Sequence, residues 1–426
     1  MALRKNNLRA VFGKAAEWPL YLIIFALPFS KSLVEIMIVI AMIALVAKKS
    51  LARERIFENT PVNILLCLFV AAALPSFFNT PNLALSARAL FSKLLKFAAL
   101  FVIAEEAMDT KEKINNFLTM ALISCVFIVT DAFIQYFVTH IDILHFPGYP
   151  SFQFSHPALI TPRVWSAPYP DGFKGFPTAS FPYPNDFAAW IIVFIFPVAA
   201  ILFFKKEDWP KRLGLGLLCA SLFYFLILTK TRGAWLGFVI ALFFLFFLRT
   251  VNLKKFVLIV LALALLMPFV FKKSTIPYIS AGAGISERNI MWANGRAILK
   301  QHPVIGNGLN TFFTEYKKVR TDEYKNKRGS YAHNCYLQMA AETGLLGLAT
   351  FLLFLSALIV KAAGSLKSIK EPFYNLLILG LTLGLIAFLV HSAVDTNLYS
   401  LNLAALFWLS AGFLMAVVKR AESDLL

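Results

Sequence analysis

Residues 334–360 read "NCYLQMAAETGLLGLATFLLFLSALIV", an apolar run interrupted by a single carboxylate, Glu342. A helix needs about 20 apolar residues to cross the roughly 30 Å hydrocarbon core of a bilayer, so this stretch predicts a membrane-spanning helix. Similar blocks, separated by short charged segments, recur along the chain of 426 residues, of which 59% are hydrophobic and 15% charged. We therefore expect an all-α integral membrane protein.

The apolar blocks predict about twelve transmembrane helices in a single polytopic domain over residues 1–426. A β-barrel would instead show weak alternation in segments of about ten residues. In the fourth predicted span, Arg88, Lys93 and Lys96 occupy the first half, which is typical of an amphipathic helix at the membrane interface. The predicted spans cover residues 17–30, 32–47, 61–78, 88–106, 115–137, 185–204, 213–229, 233–248, 256–271, 334–360, 372–393 and 399–418.

Basic residues determine the expected orientation. The formal net charge is +18, with 41 Lys and Arg against 23 Asp and Glu. If the N-terminus is inside, every segment that would lie inside is basic. Because cytoplasmic loops are enriched in Lys and Arg, both termini are predicted in the cytoplasm. Topology explains most of the excess charge, so no nucleic-acid partner is expected.

Two longer segments then lie outside. Residues 138–184 are rich in proline and aromatic residues and predict a cap of turns and short helices. Residues 272–333 carry eleven Lys and Arg against four Asp and Glu, which is unusual for an outside loop. Clustered cations bind phosphate by charge-assisted hydrogen bonds, so the loop predicts an anionic partner at the membrane surface. The alternative is that its charges only solvate the loop or hold lipid headgroups.

The second loop contains a predicted helix from Ser286 to Gln301, which Pro303 ends before a glycine turn and a second short helix. Arg288 and Trp292 are four residues apart and share one face of this helix. A guanidinium beside an indole at a membrane surface suits a lipid phosphate. This pair is therefore a candidate phosphate site.

Two further cations lie in the short turn between the seventh and eighth predicted spans. Lys230 and Arg232 are expected at the outer end of the bilayer, where a charge is costly unless it is paired or faces a wet cavity. The position of Lys230 is explained at least as well if its side chain snorkels to the lipid headgroups. Arg232 precedes Gly233, which permits close packing, and a functional role is favoured for it.

His333 stands where the tenth predicted span begins, between the basic loop and the membrane. Imidazole titrates near neutral pH and is a natural proton acceptor for a sugar hydroxyl, although a histidine here could also merely cap the helix. His391 and Asp395, four residues apart, could form a hydrogen-bonded pair on one helix face, and a structural use is at least as well supported. Glu342 falls on about the opposite face from His333 and is interpreted as a buried partner for a polar group in another span.

No cluster of His, Cys or acidic residues has the spacing of a metal site, and the sequence contains no P-loop. We therefore expect chemistry that uses neither a metal nor a cofactor.

Four motifs in order resemble the bacterial O-antigen ligase and polymerase superfamily. They are an Arg-Gly segment that opens a span ("TKTRGAWLGF"), an Arg-x-x-x-Trp helix ("RNIMW"), a Pro-x-x-Gly-x-Gly turn ("HPVIGNGLNTFF") and a His-Asn pair before a span ("AHNCYLQMAAETGLLGL"). Upstream, "GFPTASFPYPNDFAAW" is similar to the family's Pro-Asn segment. The motifs cover about residues 170–350. The first begins Lys-Thr-Arg rather than the commoner Ser-Arg, which weakens Lys230 relative to Arg232.

The resemblance implies a glycosyltransferase of the GT-C type in the Gram-negative inner membrane, acting on an undecaprenyl-pyrophosphate-linked O-antigen at the periplasmic face. In the ligase, the glycan passes to a sugar hydroxyl of lipid A-core, with inversion of the anomeric centre. By motif, His333, next to Asn334, is the general base or orients the acceptor. Arg232 and Arg288, with Lys230, hold the pyrophosphate.

Other functions use the same motifs or the same architecture. O-antigen polymerases and protein O-oligosaccharyltransferases share the donor, and the large 272–333 loop favours the ligase while the 138–184 loop keeps a polymerase open. A polytopic transporter would predict ionisable residues within the spans and a two-fold internal repeat. The sequence shows few of the former and no convincing repeat.

Overall fold

The computed structural model describes residues 2–139, 176–204, 208–247, 283–320 and 331–425. Most of these residues are helical, and they contain no strand. The ninth predicted span, residues 256–271, and most of the predicted 138–184 loop lie outside the described residues. Each of the other eleven predicted spans falls on a helix.

The helices begin and end close to the predicted apolar blocks. Short 3₁₀ turns at Leu74–Asn79 and Asn397–Tyr399 and π-helical turns at Leu90–Leu95 and Gln135–Thr139 accompany them. The α-helices are α1 Ala2–Ala26, α2 Lys31–Ala52, α3 Pro61–Ala73, α4 Leu83–Ala89, α5 Lys96–Ala107, α6 Lys111–Ile134, α7 Pro184–Leu202, α8 Trp209–Leu228, α9 Arg232–Phe247, α10 Ala283–Gln301, α11 Phe312–Val319, α12 Cys335–Ser368, α13 Pro372–Ser392 and α14 Leu401–Ser423.

Seven helical segments among the described residues are long and apolar enough to cross a membrane, fewer than the twelve expected. They are Pro61–Asn79, Lys111–Val138, Pro184–Leu202, Trp209–Leu228, Cys335–Ser368, Pro372–Ser392 and Leu401–Ser423. Arg232–Leu245 forms a shorter apolar helix. The remaining helices, α1, α2 and the continuous α4–α5 segment, carry charges within their apolar stretches, such as Lys14, Glu35 and Lys93. The number of such helices is below twelve partly because of these charged residues and partly because the ninth predicted span lies outside the described residues.

Helix packing buries α14 most deeply. It lies against α5 and α13, and α13 in turn packs between α7 and α9. At one end of this bundle lie the two short helices α10 and α11, where the sequence predicted a helix over 286–301 and a second short one. We call this the loop end. The predicted stop at Pro303 is confirmed, since α10 ends at Gln301.

Helix α12 is broken at Gly344, whose φ of 72° and ψ of 178° lie in a region open almost only to glycine. The break leaves backbone groups without partners inside the helix, and the glycine turn of residues 303–308 supplies them. Four backbone hydrogen bonds cross the junction: Leu345 N to Pro303 O (2.8 Å), Leu346 N to Val304 O (3.1 Å), Asn307 N to Ala341 O (3.1 Å) and Gly308 N to Glu342 O (2.9 Å). A Cβ on Gly344 would lie 2.1 Å from the Val304 oxygen, so the two segments meet backbone to backbone.

The other side of the glycine turn contacts the start of the α4–α5 segment. The Ser86 hydroxyl donates to the Leu309 carbonyl (3.1 Å), and the Asn79 amide donates to the Gly306 carbonyl (3.1 Å). The Pro-x-x-Gly-x-Gly motif is thus a docking element. It fixes the loop helices against the part of α12 that follows His333.

Candidate active site

Asp395 is the centre of a polar cluster at the loop end. It lies in the connection between α13 and α14, three residues beyond the end of α13. Side chains from four other segments reach its carboxylate: Asn185 from the start of α7, Arg288 from α10, His333 from the approach to α12, and His391 from the end of α13. Segments far apart in sequence therefore converge on one buried acid.

The Asp395 carboxylate is surrounded by donors. Oδ2 accepts from Asn185 Nδ2 at 2.7 Å and lies 3.3 Å from Arg288 Nη2, while Oδ1 accepts the Thr396 N–H at 2.8 Å. His333 Nδ1 is 3.4 Å from Oδ1. Burial alone would raise the pKa of this carboxyl, but the His333 hydrogen bond and the positive charges around it lower the pKa well below its usual range. Asp395 is therefore ionised at neutral pH.

The expected pairing of His391 with Asp395 on one helix face is wrong. Helix α13 ends at Ser392, so Asp395 is not on it. His391 Nε2 is 3.8 Å from Asp395 Oδ2, which is too long for a hydrogen bond. His391 instead packs against Gly233, where an added Cβ would lie 2.6 Å from its ring carbon Cδ2. That contact brings the start of α9 to the cluster.

Arg232 is the first residue of α9, and its side chain is exposed at the mouth of the cluster. Its neighbour Thr231 connects this helix to Asp395, because the Thr231 hydroxyl donates to Asn185 Oδ1 (3.1 Å) and Asn185 in turn donates to the carboxylate. Lys230 precedes them in the turn after α8, with a left-handed φ of 53°. The turn thus presents its cations at the N-terminus of a helix, a position that favours anions.

His333 is held on several sides. Its φ of 48° is left-handed, which is uncommon for a residue with a side chain and costs about 1 kcal/mol or more. The Trp292 indole N–H donates to its carbonyl (3.3 Å), so Trp292 positions His333. Asn334 caps α12 by accepting the Leu337 N–H (2.9 Å). Trp292, which the sequence paired with Arg288 at a phosphate site, thus contacts the His333 backbone directly, and Asn334 fixes the helix start that follows it.

The His333 ring is only partly covered, with 37% of the side chain exposed. Nδ1 faces Asp395, and no group among the described residues bonds Nε2. Behind the ring, the Cys335 thiol donates to the Asp395 carbonyl (3.1 Å), which ties the α13–α14 connection to the start of α12. The arrangement can accept a proton at Nε2 while the carboxylate holds Nδ1–H.

Glu342 lies outside this cluster and supports the loop. It is buried; Oε2 accepts the Asn310 N–H (2.9 Å) and Oε1 accepts from Gln338 Nε2 (3.2 Å). Gln338 in turn accepts the Ala332 N–H (3.0 Å), one residue before His333. Its hydrogen-bonded partners come from the loop and its own helix. Its charge also interacts with Lys93, which lies in the fourth predicted span, so Glu342 does have the polar partner in another span that the sequence suggested.

Sequence reasoning did not single out Asn185 and Thr231. Both are uncharged, but each stands at the mouth of a predicted span, and Asn185 belongs to the quoted Pro-Asn segment. Asp186, the next residue, is close enough to Asp395 for the two carboxylates to repel. Among the residues that the structure describes, no three His, Cys, Asp or Glu side chains are arranged to hold a metal ion.

Residues 216–352 match a family model described as O-antigen ligase. The match includes Arg232, Arg288 and His333, whereas Asn185 and Asp395 lie outside it. It confirms the resemblance drawn from the motifs and supports an O-antigen ligase or polymerase-like membrane enzyme. A search of curated proteins finds no match to the chain.

Proposed function

We propose that the chain is an O-antigen ligase, a GT-C-type glycosyltransferase that transfers a glycan from undecaprenyl pyrophosphate to a sugar hydroxyl of lipid A-core in lipopolysaccharide synthesis. The observation that carries this proposal is the meeting of Arg288 and His333, residues of two separate motifs, at the single carboxylate of Asp395. A positive group for a phosphate and a base for a hydroxyl are the two parts that such a transfer needs.

His333 is the general base in this proposal. With Nδ1–H directed at Asp395, Nε2 takes the proton of the acceptor hydroxyl as its oxygen attacks the anomeric carbon. The bond from that carbon to the pyrophosphate oxygen breaks, and undecaprenyl pyrophosphate leaves with the electron pair. Attack on the side opposite the leaving group inverts the anomeric centre. The proton on His333 then passes to solvent.

Arg288 and Arg232 stabilise the leaving group. One guanidinium nitrogen of Arg288 is engaged with Asp395 at 3.3 Å, which fixes the plane and leaves its other N–H groups for a phosphate. Arg232 adds a second charge at the start of α9, where free backbone N–H groups also attract anions. Lys230 has a supporting role. These groups supply the positive charge, and the proposed reaction uses no metal and no cofactor.

Asp395 is a positioning residue in this scheme, because it acts on the substrate through His333 and Arg288. Its fixed charge holds the imidazole tautomer that leaves Nε2 unprotonated, as in other base–carboxylate pairs. Asn185 and Thr231 extend this support to α7 and α9. His391 packs behind the carboxylate.

The proposed location is the periplasmic face of the inner membrane, with both termini in the cytoplasm. The support is topological: α7, α9 and α12 all begin at the loop end, and the basic segments of the sequence precede or follow the opposite helix ends. The basic 272–333 loop then faces two anionic substrates, the lipid-linked donor and the phosphorylated acceptor, among membrane lipids.

The test is a reconstitution. Purified protein in vesicles is supplied with an undecaprenyl-pyrophosphate-linked O-antigen and lipid A-core, and the products are separated by size. Glycan on the core supports the ligase. A longer lipid-linked chain identifies a polymerase, glycan on Ser or Thr of a protein acceptor identifies a protein O-oligosaccharyltransferase, and vesicle uptake without bond formation identifies a transporter; each of these three would overturn the ligase.

A further inference from the structure

A cleft separate from the Asp395 cluster lies between the α4–α5 segment and helices α12 and α14. Its volume is about 280 Å³. Arg232, Arg288, His333 and Asp395 do not line it. Most of its wall is apolar, with the side chains of Phe69, Phe97, Leu94, Phe351, Leu401 and Trp408. Such a surface suits a hydrocarbon chain.

Three cations stand among the residues that line this cleft, and two of them are already compensated. Lys96 Nζ is 2.7 Å from Glu35 Oε1. Lys93 Nζ donates to Asn310 Oδ1 at 2.6 Å, and its charge interacts with the buried Glu342. Arg88 is exposed, and among the described residues no carboxylate lies within 4.0 Å of it. The cleft therefore has one uncompensated positive charge.

The mouth of the cleft is formed by the π-helical turn Leu90–Leu95. This turn exposes Ser92, which lines the cleft, and Phe91, which is 68% exposed and does not. Wide turns of this kind occur frequently at functional sites. An exposed phenylalanine next to the opening is apolar surface that a lipid can cover.

We propose that this cleft binds one anionic glycerophospholipid, with an acyl chain against the apolar wall and the phosphodiester on Arg88. A phosphodiester carries one negative charge, which matches the uncompensated charge of the cleft. A pyrophosphate-linked lipid carries more than one negative charge and so exceeds the uncompensated charge of the cleft. The inference does not depend on the proposed transfer reaction.

The bound lipid also steadies the glycine turn. Asn310 and Glu342 both line the cleft, and Lys93 joins them to the π-helical turn. A lipid that fills the cleft packs against these lining residues and restrains this contact, and with it the docking of residues 303–310 on broken α12. Occupancy of the cleft is thereby coupled to the loop that carries Arg288.

Lipid binding is measured by native mass spectrometry of the full chain, delipidated in detergent and reloaded with phosphatidylglycerol. One lipid per protein is expected. Arg88→Gln should lower its retention about fivefold, whereas Arg88→Lys, which keeps the charge, should retain it. Ser92→Trp should block the mouth and abolish retention, and the matched control Phe91→Trp, in the same exposed turn, should leave it unchanged.

Equal retention by wild type, Arg88→Gln and Ser92→Trp would overturn the site. Displacement of phosphatidylglycerol by an equimolar amount of undecaprenyl phosphate would also overturn it, since the cleft would then be an isoprenoid site. Hydrogen exchange gives a second measurement. Phosphatidylglycerol should slow exchange at residues 303–310 in wild type and not in Arg88→Gln, and unchanged exchange in wild type would refute the coupling to the loop.

Discussion

Two buried carboxylates, at opposite ends of the bundle, gather cations in different ways. Glu106, near the end of α5, lies 2.5 Å from Lys49 Nζ and 3.2 Å from Lys419 Nζ. Asp395, at the loop end, is surrounded by an arginine and two histidines. Both sites satisfy a buried charge, but they leave different groups available.

The two lysines that contact Glu106 have few donor groups left for any contact other than their ion pairs. Lys419 also contacts Glu58 at 2.7 Å, so its ammonium is shared between carboxylates. At Asp395, each of two partners keeps a second functional edge: the other N–H groups of Arg288, and Nε2 of His333. Burial and charge therefore do not by themselves distinguish a functional cluster. The distinguishing features are an imidazole that can accept a proton, a partly exposed ring and a left-handed backbone.

Among the variants that test this comparison, the largest change in turnover is expected when the proposed base is removed. His333→Ala should lower turnover about 10²–10⁴-fold, because the acceptor hydroxyl loses its proton acceptor. The measurement is initial transfer rate in the reconstituted system, with size-exclusion chromatography to establish folding. The matched control is His302→Ala. His302 is exposed and lies just before the glycine turn of residues 303–308, so this variant should transfer glycan at the wild-type rate. Normal turnover in His333→Ala would remove His333 from the mechanism.

Arg288→Ala is expected to reduce turnover about 10²–10³-fold, the usual consequence of losing one charge-stabilising donor. Arg296 is on the same helix, α10, but its side chain is exposed and makes no ion pair with Asp395, so Arg296→Ala serves as the control. Transfer rates at saturating donor measure both. If the two alanine variants lose activity equally, the general basic charge of the loop matters and the Arg288 position does not.

At the opposite end, Glu106→Gln should destabilise the fold by about 3 kcal/mol without changing turnover per folded molecule, because the largely buried Lys49 keeps only its longer contact, at 3.6 Å, with the exposed Glu54. Thermal unfolding in detergent, together with the transfer assay, measures the two quantities. Glu58→Gln is the control; Glu58 is 59% exposed, so its loss should cost less than about 1 kcal/mol. A lower turnover in Glu106→Gln would mean that the Glu106 site also contributes to activity, so that the two ends would no longer differ in function.

The contrast also explains what the sequence could predict. Helices α10 and α11 followed from local signals, such as the stop at Pro303 and the glycines after it, and the observed bounds of α10 differ from the predicted 286–301 by few residues. Seven of the described helices are long and apolar enough to cross a membrane, against twelve predicted spans, and α1, α2 and the α4–α5 segment are not among the seven because charged residues lie inside their apolar stretches. Local patterns thus determine helices well.

The Asp395 cluster could be predicted only in part. Arg288 and His333 were found because their residue types and motif positions indicate chemistry. Asn185 is 210 residues from Asp395 in sequence, so their contact depends on how α7 and α13 pack, which no local pattern reports. The suggested pairing of Asp395 with His391 assumed a continuous helix, and the end of α13 at Ser392 made it wrong.

Asp395→Asn should lower turnover about 10- to 100-fold, because the amide no longer fixes the imidazole tautomer. Transfer rates measure this effect, and Asp424→Asn, at an exposed position at the opposite end, is the control.

The Asp395 carboxylate should also make the stability of the fold depend on pH. Its pKa is lower in the folded state than in the unfolded state, so the ionised form stabilises the fold above about pH 4, the ordinary unfolded value. This stabilisation is lost as the pH falls through the lower folded pKa.

The melting temperatures of wild type and Asp395→Asn should therefore differ by a constant amount between about pH 6 and 8, as far as this group is concerned, and converge in acid below about pH 4. A difference that instead grows as the pH is lowered would mean that Asp395 is protonated in the folded protein. That result would contradict its role as a fixed charge beside His333.

The variant with the smallest expected effect separates the contribution of the His333 backbone conformation to stability from the role of its imidazole in turnover. Both His333→Gly and His333→Ala remove the base and should be equally inactive. Glycine adopts a φ of 48° without the penalty that a Cβ imposes, so the glycine variant should be more stable than the alanine variant by about 1 kcal/mol, measured by thermal unfolding. At the adjacent Ala332, whose φ is not positive, glycine should instead destabilise. If His333→Gly were the less stable of the pair, the left-handed turn would not be part of the folded site, and the ring would have to reach Asp395 from a different backbone geometry.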